Sequence, residues 1–346
     1  MKAVLLHEHG PAENLRLVED YPLPEPGPGQ VRVRLQAVAL NRVDWWMREG
    51  IPGFSLNFPH ILGADAAGTI DKLGEGTEGW QVGDRVALDP GEVRCAGCDY
   101  CLRGLENMCR GYNIIGEHIF GTYCEYRVYP VRNLLALPLE ISFAEAAAAS
   151  LVYLTAWHSM ITRGGVKPGE HVLIVGASGG VNTACLQIAR LLGCITYVVG
   201  SDSVKCSMAE ELGADYVVDR SRDPDWSKAV FKASQKRGMD VVVDNVGAPT
   251  MMQSIRAARA RGPGADGREH GGRTFELDNR MLFFRHVSII GSTMGPHADY
   301  LDVMQLVFDG KLNAVIGATY GLEEIVEAHR ALESGGVFGK IVLELT

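Results

Sequence analysis

Cys95, Cys98, Cys101 and Cys109 share one short stretch with the spacing C-x2-C-x2-C-x7-C. Two residues between thiols let neighbouring sulfurs turn toward a common centre. The longer interval before Cys109 lets a fourth sulfur close a tetrahedron. Four thiolates leave no position for water or substrate, which is the structural kind of zinc site. The residues between them, such as Asp99, Arg103, Gly104, Glu106 and Asn107, build no core. Metal ligation is therefore expected to order the segment. Disulfides are the competing reading, and nothing else in the chain points to secretion.

A second pattern follows the apolar run His171-Val172-Leu173-Ile174-Val175. The turn Gly176-Ala177-Ser178-Gly179-Gly180-Val181-Asn182 leads into a helix, with Val181, Ala184, Cys185, Ile188, Leu191 and Leu192 on one face. Glycines there let backbone N–H groups approach a pyrophosphate at the positive end of the helix. With a further strand at 195–199, the context predicts a dinucleotide site that uses Ser178, Gly179, Gly180 and Val181. At the end of that strand an NAD site usually carries an acid for the ribose hydroxyls. Here Gly200-Ser201 leaves room for a 2′-phosphate, and Ser201, Lys205 and Arg220 are in place to bind one. NADPH is the expected cofactor, ahead of NADH. Asp202 reads as a helix N-cap; if it bonds ribose instead, NAD wins.

The chain that positions these groups has 346 residues, enough for about two domains. A net charge of −9 without a basic run argues against nucleic acid and anionic membranes as partners. No signal peptide is read at Met1, and no apolar stretch is long enough to span a bilayer, so a cytoplasmic protein with reduced thiols is expected. The first third reads as short strands punctuated by glycine, including 66–73 and 84–88, which suggests a compact β-barrel-like domain. From 140–150 the pattern turns helical, then alternates strand and helix. Tyr216–Val218 and Val241–Val243 are two more strands of what must be a parallel sheet with covered faces.

A cysteine lobe inside a β-rich domain, followed by a dinucleotide fold, resembles the medium-chain dehydrogenase/reductase superfamily. It lies nearest the zinc-binding alcohol dehydrogenase-like proteins that grade into quinone oxidoreductases. The stretches that carry the resemblance are Gly63-Ala64-Asp65-Ala66-Ala67-Gly68, Gly83-Asp84-Arg85-Val86, Gly121-Thr122-Tyr123-Cys124-Glu125-Tyr126, Leu154-Thr155-Ala156 and Gly339-Lys340-Ile341-Val342. The resemblance implies an α/β protein with a GroES-like β-barrel catalytic domain and a Rossmann doubly wound parallel sheet. Its divisions would be 1–135 for the catalytic domain with the zinc lobe, 136–312 for the Rossmann domain, and 313–346 for a return to the first. It also implies a homodimer or homotetramer. Further nucleotide contacts would come from Thr155, Asn245, Gly247, Ser292, Thr293, Met294, Gly339 and Lys340.

The catalytic zinc of the alcohol dehydrogenases does not carry over. Asn41 stands at their ligand cysteine, Gly63-Ala64-Asp65 at their Gly-His-Glu, and Ser150 at the third ligand. These side chains cannot supply a thiolate–imidazole set. A rebuilt metal site around Asp65, with His60 and His118, is the alternative. Without a Lewis acid, a conjugated carbonyl or a quinone is the easier substrate, because its developing charge spreads and a hydrogen-bond donor suffices. Asn41 could donate that bond, and Asp44 falls at the family's acidic position near the nicotinamide ribose. Two departures remain. Residues 261–273, rich in Gly, Pro and charge, show no strand period where the family has a fifth strand. A loop substitution, decay of the site or a reading-frame shift could each produce that, and the last two would leave a nucleotide-binding protein with little turnover. Asn182, in place of the fingerprint's third glycine, suggests looser helix–strand packing.

Overall fold

The computed structural model describes residues 1–95, 97–260, 265–267 and 274–345. Two compact units emerge. One joins Met1–Leu151 to Pro296–Thr346, and the other is Val152–Gly295.

The second unit is built on six parallel strands. Across the sheet they run Tyr216–Asp219, Ile195–Gly200, His171–Val175, Val241–Asp244, Ala265–Gly267 and Ile289–Ile290. In chain order that is 3-2-1-4-5-6, the dinucleotide-binding order, with ligands expected beyond the carboxyl ends of the strands. Valines and isoleucines fill the central strands because both sheet faces are covered. Leu173, Val175, Val199, Val230, Val242 and Ile255 form part of the buried core. The helix Gly180–Leu191 is buried on more than one side, at Asn182, Thr183, Ala184, Cys185, Leu186, Ile188 and Ala189. Leu191, expected on its apolar face, is exposed.

The fifth strand departs from the sequence reading. Ala265–Gly267 pairs in register with Val242–Asp244 on one side, and Ala265 and Asp266 pair with Ile289 and Ile290 on the other. A ladder between two formed strands needs only backbone N–H and C=O groups, so no apolar alternation announces it. The rest of 261–273 lies outside the described residues. The sixth strand is the two-residue Ile289–Ile290.

The first unit is dominated by a seven-stranded sheet. Its path is Ile316–Gly321, Lys340–Glu344, Gln30–Ala39, Asp65–Leu73, Arg85–Leu88 and Leu134–Ala136, with Tyr126–Pro130 also paired to Gln30–Ala39. Val33, Leu35, Ile70, Val86, Ile341 and Leu343 contribute to one apolar core. The register is what matters for function. Ala39, at the end of its strand, lies opposite both Asp65 and Val342. Three strand ends therefore meet at one place and carry Asn41, Asp65 and Lys340 there. No helix among the described residues is long and apolar enough to cross a membrane.

Candidate functional site

In the first unit the meeting strand ends hold a buried polar cluster. Lys340 Nζ donates to Leu40 O at 2.7 Å, Asn41 Oδ1 at 2.6 Å and Asp65 Oδ2 at 3.0 Å. Asn41 Nδ2 donates to Asp65 Oδ2 at 2.8 Å and reaches Ala39 O only at 3.4 Å. The other Asp65 oxygen accepts the Leu151 N–H at 2.7 Å. Asp65 is 0% and Lys340 4% exposed. Ser150 is turned inward, its Oγ donating to Ala146 O at 3.0 Å and lying 3.4 Å from Tyr300 Oη.

Asp44 sits in the first turn of the helix Arg42–Glu49, where an acid is favoured by the free N–H groups. Its carboxylate accepts the Asn41 N–H at 2.7 Å and the Gly63 N–H at 3.1 Å. Burial pushes the Asp44 carboxyl up to about 6, against the Asn41 hydrogen bond, the Lys340 charge and the Tyr123 hydroxyl, which pull it down. Behind Tyr123 the polar chain continues. Tyr123 Oη lies 3.3 Å from His329 Nε2, and His329 Nδ1 lies 3.4 Å from Arg48 Nη1, which also pairs with Glu333. Arginine has no acceptor, so His329 receives at Nδ1 and donates from Nε2–H. All the donors in this chain thus point toward Asp44. Tyr123, His329 and Arg48 were not singled out from the sequence. Positions about 200 residues apart leave no local signal for such a contact.

Asp65, His60 and His118 are not brought to a common centre. His60 Nε2 is bonded to Gly116 O at 3.1 Å, and His118 Nδ1 accepts the Ile114 N–H at 3.1 Å. With an ammonium already on Asp65, this set does not fit a metal ion. The cysteines do. The four Sγ atoms of Cys95, Cys98, Cys101 and Cys109 lie within 4.8 Å of one another, with Cys98 3.6 Å from Cys101 and 3.5 Å from Cys109. A zinc ion with about 2.3 Å bonds to four sulfurs sets them about 3.8 Å apart, whereas a disulfide needs about 2.05 Å. The Gly111 N–H donates to Cys109 Sγ at 3.2 Å, a further support for a thiolate. A strand pair, Gly91–Val93 with Tyr112–Ile114, closes the neck of this lobe.

In the second unit the glycine turn follows His171–Val175 as expected. Gly176 has φ +103°, and a Cβ there would lie 2.4 Å from Asn182 Nδ2. Asn182 Oδ1 accepts from Asn245 Nδ2 at 2.5 Å. Asn182 therefore corrects the expectation of looser packing: its amide ties the first helical turn to the residue after Val241–Asp244. Asn182→Ala should strand the buried Asn245 amide and lower stability by about 1–3 kcal/mol, read as a fall in denaturation midpoint. The next residues along, Val246 and Gly247, give their N–H groups to Asp244 Oδ1 at 2.9 and 3.0 Å. Gly179 caps the helix Gly180–Leu191 without a side-chain bond, so its first N–H groups stay available to an anion.

At the end of Ile195–Gly200, Asp202 is an N-cap whose Oδ1 accepts the Lys205 N–H at 3.0 Å. Ser201 Oγ donates to Asp202 Oδ2 at 2.8 Å, and Lys205 Nζ donates to Ser201 Oγ at 3.3 Å. Arg220 gives its backbone N–H to Gly200 O at 3.1 Å. Thr155 Oγ1 lies 4.0 Å from Met294 Sδ, and Met294 adopts φ +48°. Ser292 Oγ is buried without a hydrogen-bond partner. Exposed Thr293 completes that loop. An orphaned hydroxyl, a glycine cradle and an uncapped helix end fit a dinucleotide.

Residues 27–139 match the alcohol dehydrogenase GroES-like domain family, and 180–309 match the zinc-binding dehydrogenase family. A solved NAD-dependent alcohol dehydrogenase superposes with a TM-score of 0.95 at 41% identity, with 100% of each chain covered. The NAD-dependent alcohol dehydrogenase of Sulfolobus acidocaldarius is 29% identical over 100% of both chains. The acryloyl-coenzyme A reductase of Sulfurisphaera tokodaii is 27% identical over 99% of this chain and 100% of its own. Fold, glycine turn, cysteine lobe and these likenesses agree, and the chain belongs to the medium-chain dehydrogenase/reductase superfamily.

Proposed function

We propose that this protein is an NADPH-dependent oxidoreductase that reduces a conjugated carbonyl or a quinone, with a structural zinc in its cysteine lobe and no catalytic metal. The observation that carries the reading is the chemistry at and beside the positions of the absent ligand set. Asn41 bonds to Lys340 and to Asp65, the residue after Ala64, Asp65 bonds to Lys340, and Ser150 bonds inward to its own helix. The likeness to an acryloyl-coenzyme A reductase supports a conjugated substrate.

Bound NADPH supplies a hydride. The nucleotide would be held by Ser178, Gly179, Gly180 and Val181 at the helix end, with Asn245, Gly247 and Thr155 beside the strand ends and Ser292, Thr293 and Met294 on the last loop. Asp44 would serve the nicotinamide ribose. Asn41 has one amide N–H committed to Asp65 and a second held only by the long Ala39 contact. That second N–H can turn to an oxygen on which charge develops, a bond worth about 3 kcal/mol in a preorganised site.

The cofactor preference rests on Asp202. Asp202 serves as the helix N-cap, accepting the Lys205 N–H and the Ser201 hydroxyl, and that role favours NADPH over NADH. Ser201, Lys205 and Arg220 then offer donors to a 2′-phosphate. Lys205→Ala and Arg220→Ala should each weaken NADPH binding about tenfold and leave NADH binding unchanged, measured by titration of nucleotide fluorescence. Equal losses for both nucleotides would favour NADH. The activity itself is tested by NADPH consumption over a panel of enones, enoyl thioesters, quinones and aldehydes. Tight binding without oxidation of NADPH on any of them would sink the enzyme reading.

A further inference from the structure

We propose that Lys340 supplies from within the protein the positive charge that a metal supplies in the zinc-dependent alcohol dehydrogenases, and that it acts on substrate through the Asn41 amide. This deepens the functional reading above and rests on it.

The ammonium has three N–H bonds and three oxygen acceptors, Leu40 O, Asn41 Oδ1 and Asp65 Oδ2. It is saturated inside the first unit, which leaves no donor for a nucleotide phosphate. Its placement is built into the backbone. Gly339, just before it, has φ +92°, and a Cβ there would meet Val315 O at 2.3 Å. The Lys340 N–H then bonds Val315 O at 2.8 Å, and the strand Lys340–Glu344 begins. The result is a cation bonded to the residue at the metal-ligand cysteine position and to the acid one place beyond the metal-ligand histidine position.

Stability alone does not account for this pair. A fully buried ion pair contributes little relative to apolar side chains of equal volume. What the pair does provide is a polarised amide. With Asn41 Oδ1 held by an ammonium, its N–H groups become stronger donors. One N–H is anchored on Asp65 and fixes the amide plane; the other is the group a substrate oxygen can take. In the reaction, NADPH would give its hydride to the β-carbon and leave as NADP+, the C=C π pair would form the new bond between the α-carbon and the carbonyl carbon, and the C=O π pair would move onto oxygen. The charge that gathers there is met by the Asn41 N–H, and water then protonates the α-carbon. Lys340 is a positioning residue in this scheme, because it touches Asn41 and not the reacting atoms.

The test uses the full-length protein, the enone panel and three variants. Lys340→Arg keeps the charge and should retain turnover within about tenfold. Lys340→Met combined with Asp65→Asn removes both charges, so no unpaired ion is buried, and leaves Asn41 itself in place. That protein should fold and bind NADPH normally yet lose about 100-fold in kcat. Lys340→Ala leaves a cation-sized space beside Asp65. Ethylammonium should raise its melting temperature and restore turnover about tenfold, with no effect on the natural protein. A charge-free double variant with kcat within about threefold of the natural protein would overturn the proposal. So would a folded Lys340→Ala protein that ethylammonium neither stabilises nor activates. A natural protein inert to the whole panel overturns the functional reading instead, and shows itself before any variant is made.

Discussion

Cys98→Ser is expected to empty the cysteine lobe of zinc and to disorder residues 97–111 while the rest of the protein stays folded. Cys98 lies centrally, its sulfur within 3.6 Å of two others. A serine hydroxyl stays protonated near neutral pH and cannot replace a thiolate, so the tetrahedron opens. Zinc on four sulfurs contributes an apparent binding energy of about 10–16 kcal/mol in peptides that depend on it for folding. The lobe is such a case locally. Tyr100, Leu102 and Met108 are exposed, and from 97 to 111 Cys109 is the one buried apolar residue among the described residues. The pair Gly91–Val93 with Tyr112–Ile114 should confine the damage. The natural protein should hold one zinc ion per chain by elemental analysis, and the variant none, with new trypsin cleavage at Arg103 or Arg110. A natural protein without zinc would defeat the prediction. A second tightly held zinc whose removal abolished turnover would defeat the functional reading with it.

The clustering of the lobe is legible in the sequence because its four cysteines are close along the chain, and spacing is geometry at that range. The same holds for the glycine turn, whose strand, turn and helix are consecutive. The cluster around Lys340 was not. Asn41, Asp65 and Lys340 are joined by the register of three strands, and register is set by pairing over the whole sheet. The resemblance implies a nucleotide contact for Lys340, and its three oxygen partners lie at Leu40, Asn41 and Asp65 instead. Asn182 stands in the sequence where the fingerprint has its third glycine; its amide bonds Asn245 and fills the space that Gly176 leaves. Ala265–Gly267 was illegible for a different reason. A strand of three residues between two formed neighbours takes its conformation from them and leaves no side-chain period of its own.

His329 carries the other large effect, and it appears as a dependence on pH. Burial and then the Arg48 charge push the His329 imidazole down to about 3 from an ordinary 6.5. In the unfolded chain it takes a proton near 6.5; in the folded protein it waits until about 3. Below 6.5 the unfolded state therefore holds more protons, and stability falls as pH falls. Asp44 works in the opposite sense. Its carboxyl, raised to about 6 from 3.8, is protonated in the folded protein first, so it adds stability as pH falls from 6 to 3.8. The two slopes nearly cancel in the natural protein between those limits. His329→Gln separates them. The glutamine carbonyl can accept from Arg48 and its NH2 group can donate to Tyr123, so both contacts survive without a titrating ring. The other charged or titratable groups on this chain, Arg48, Tyr123, Glu49 and Glu333, are common to both proteins and drop out of the difference. The stability of His329→Gln relative to the natural protein should thus grow by about 1.4 kcal/mol for each pH unit below 6.5, measured by urea denaturation at a series of pH values. Parallel curves for the two proteins would mean that His329 takes its proton while folded, and that the donors in this chain do not all point toward Asp44.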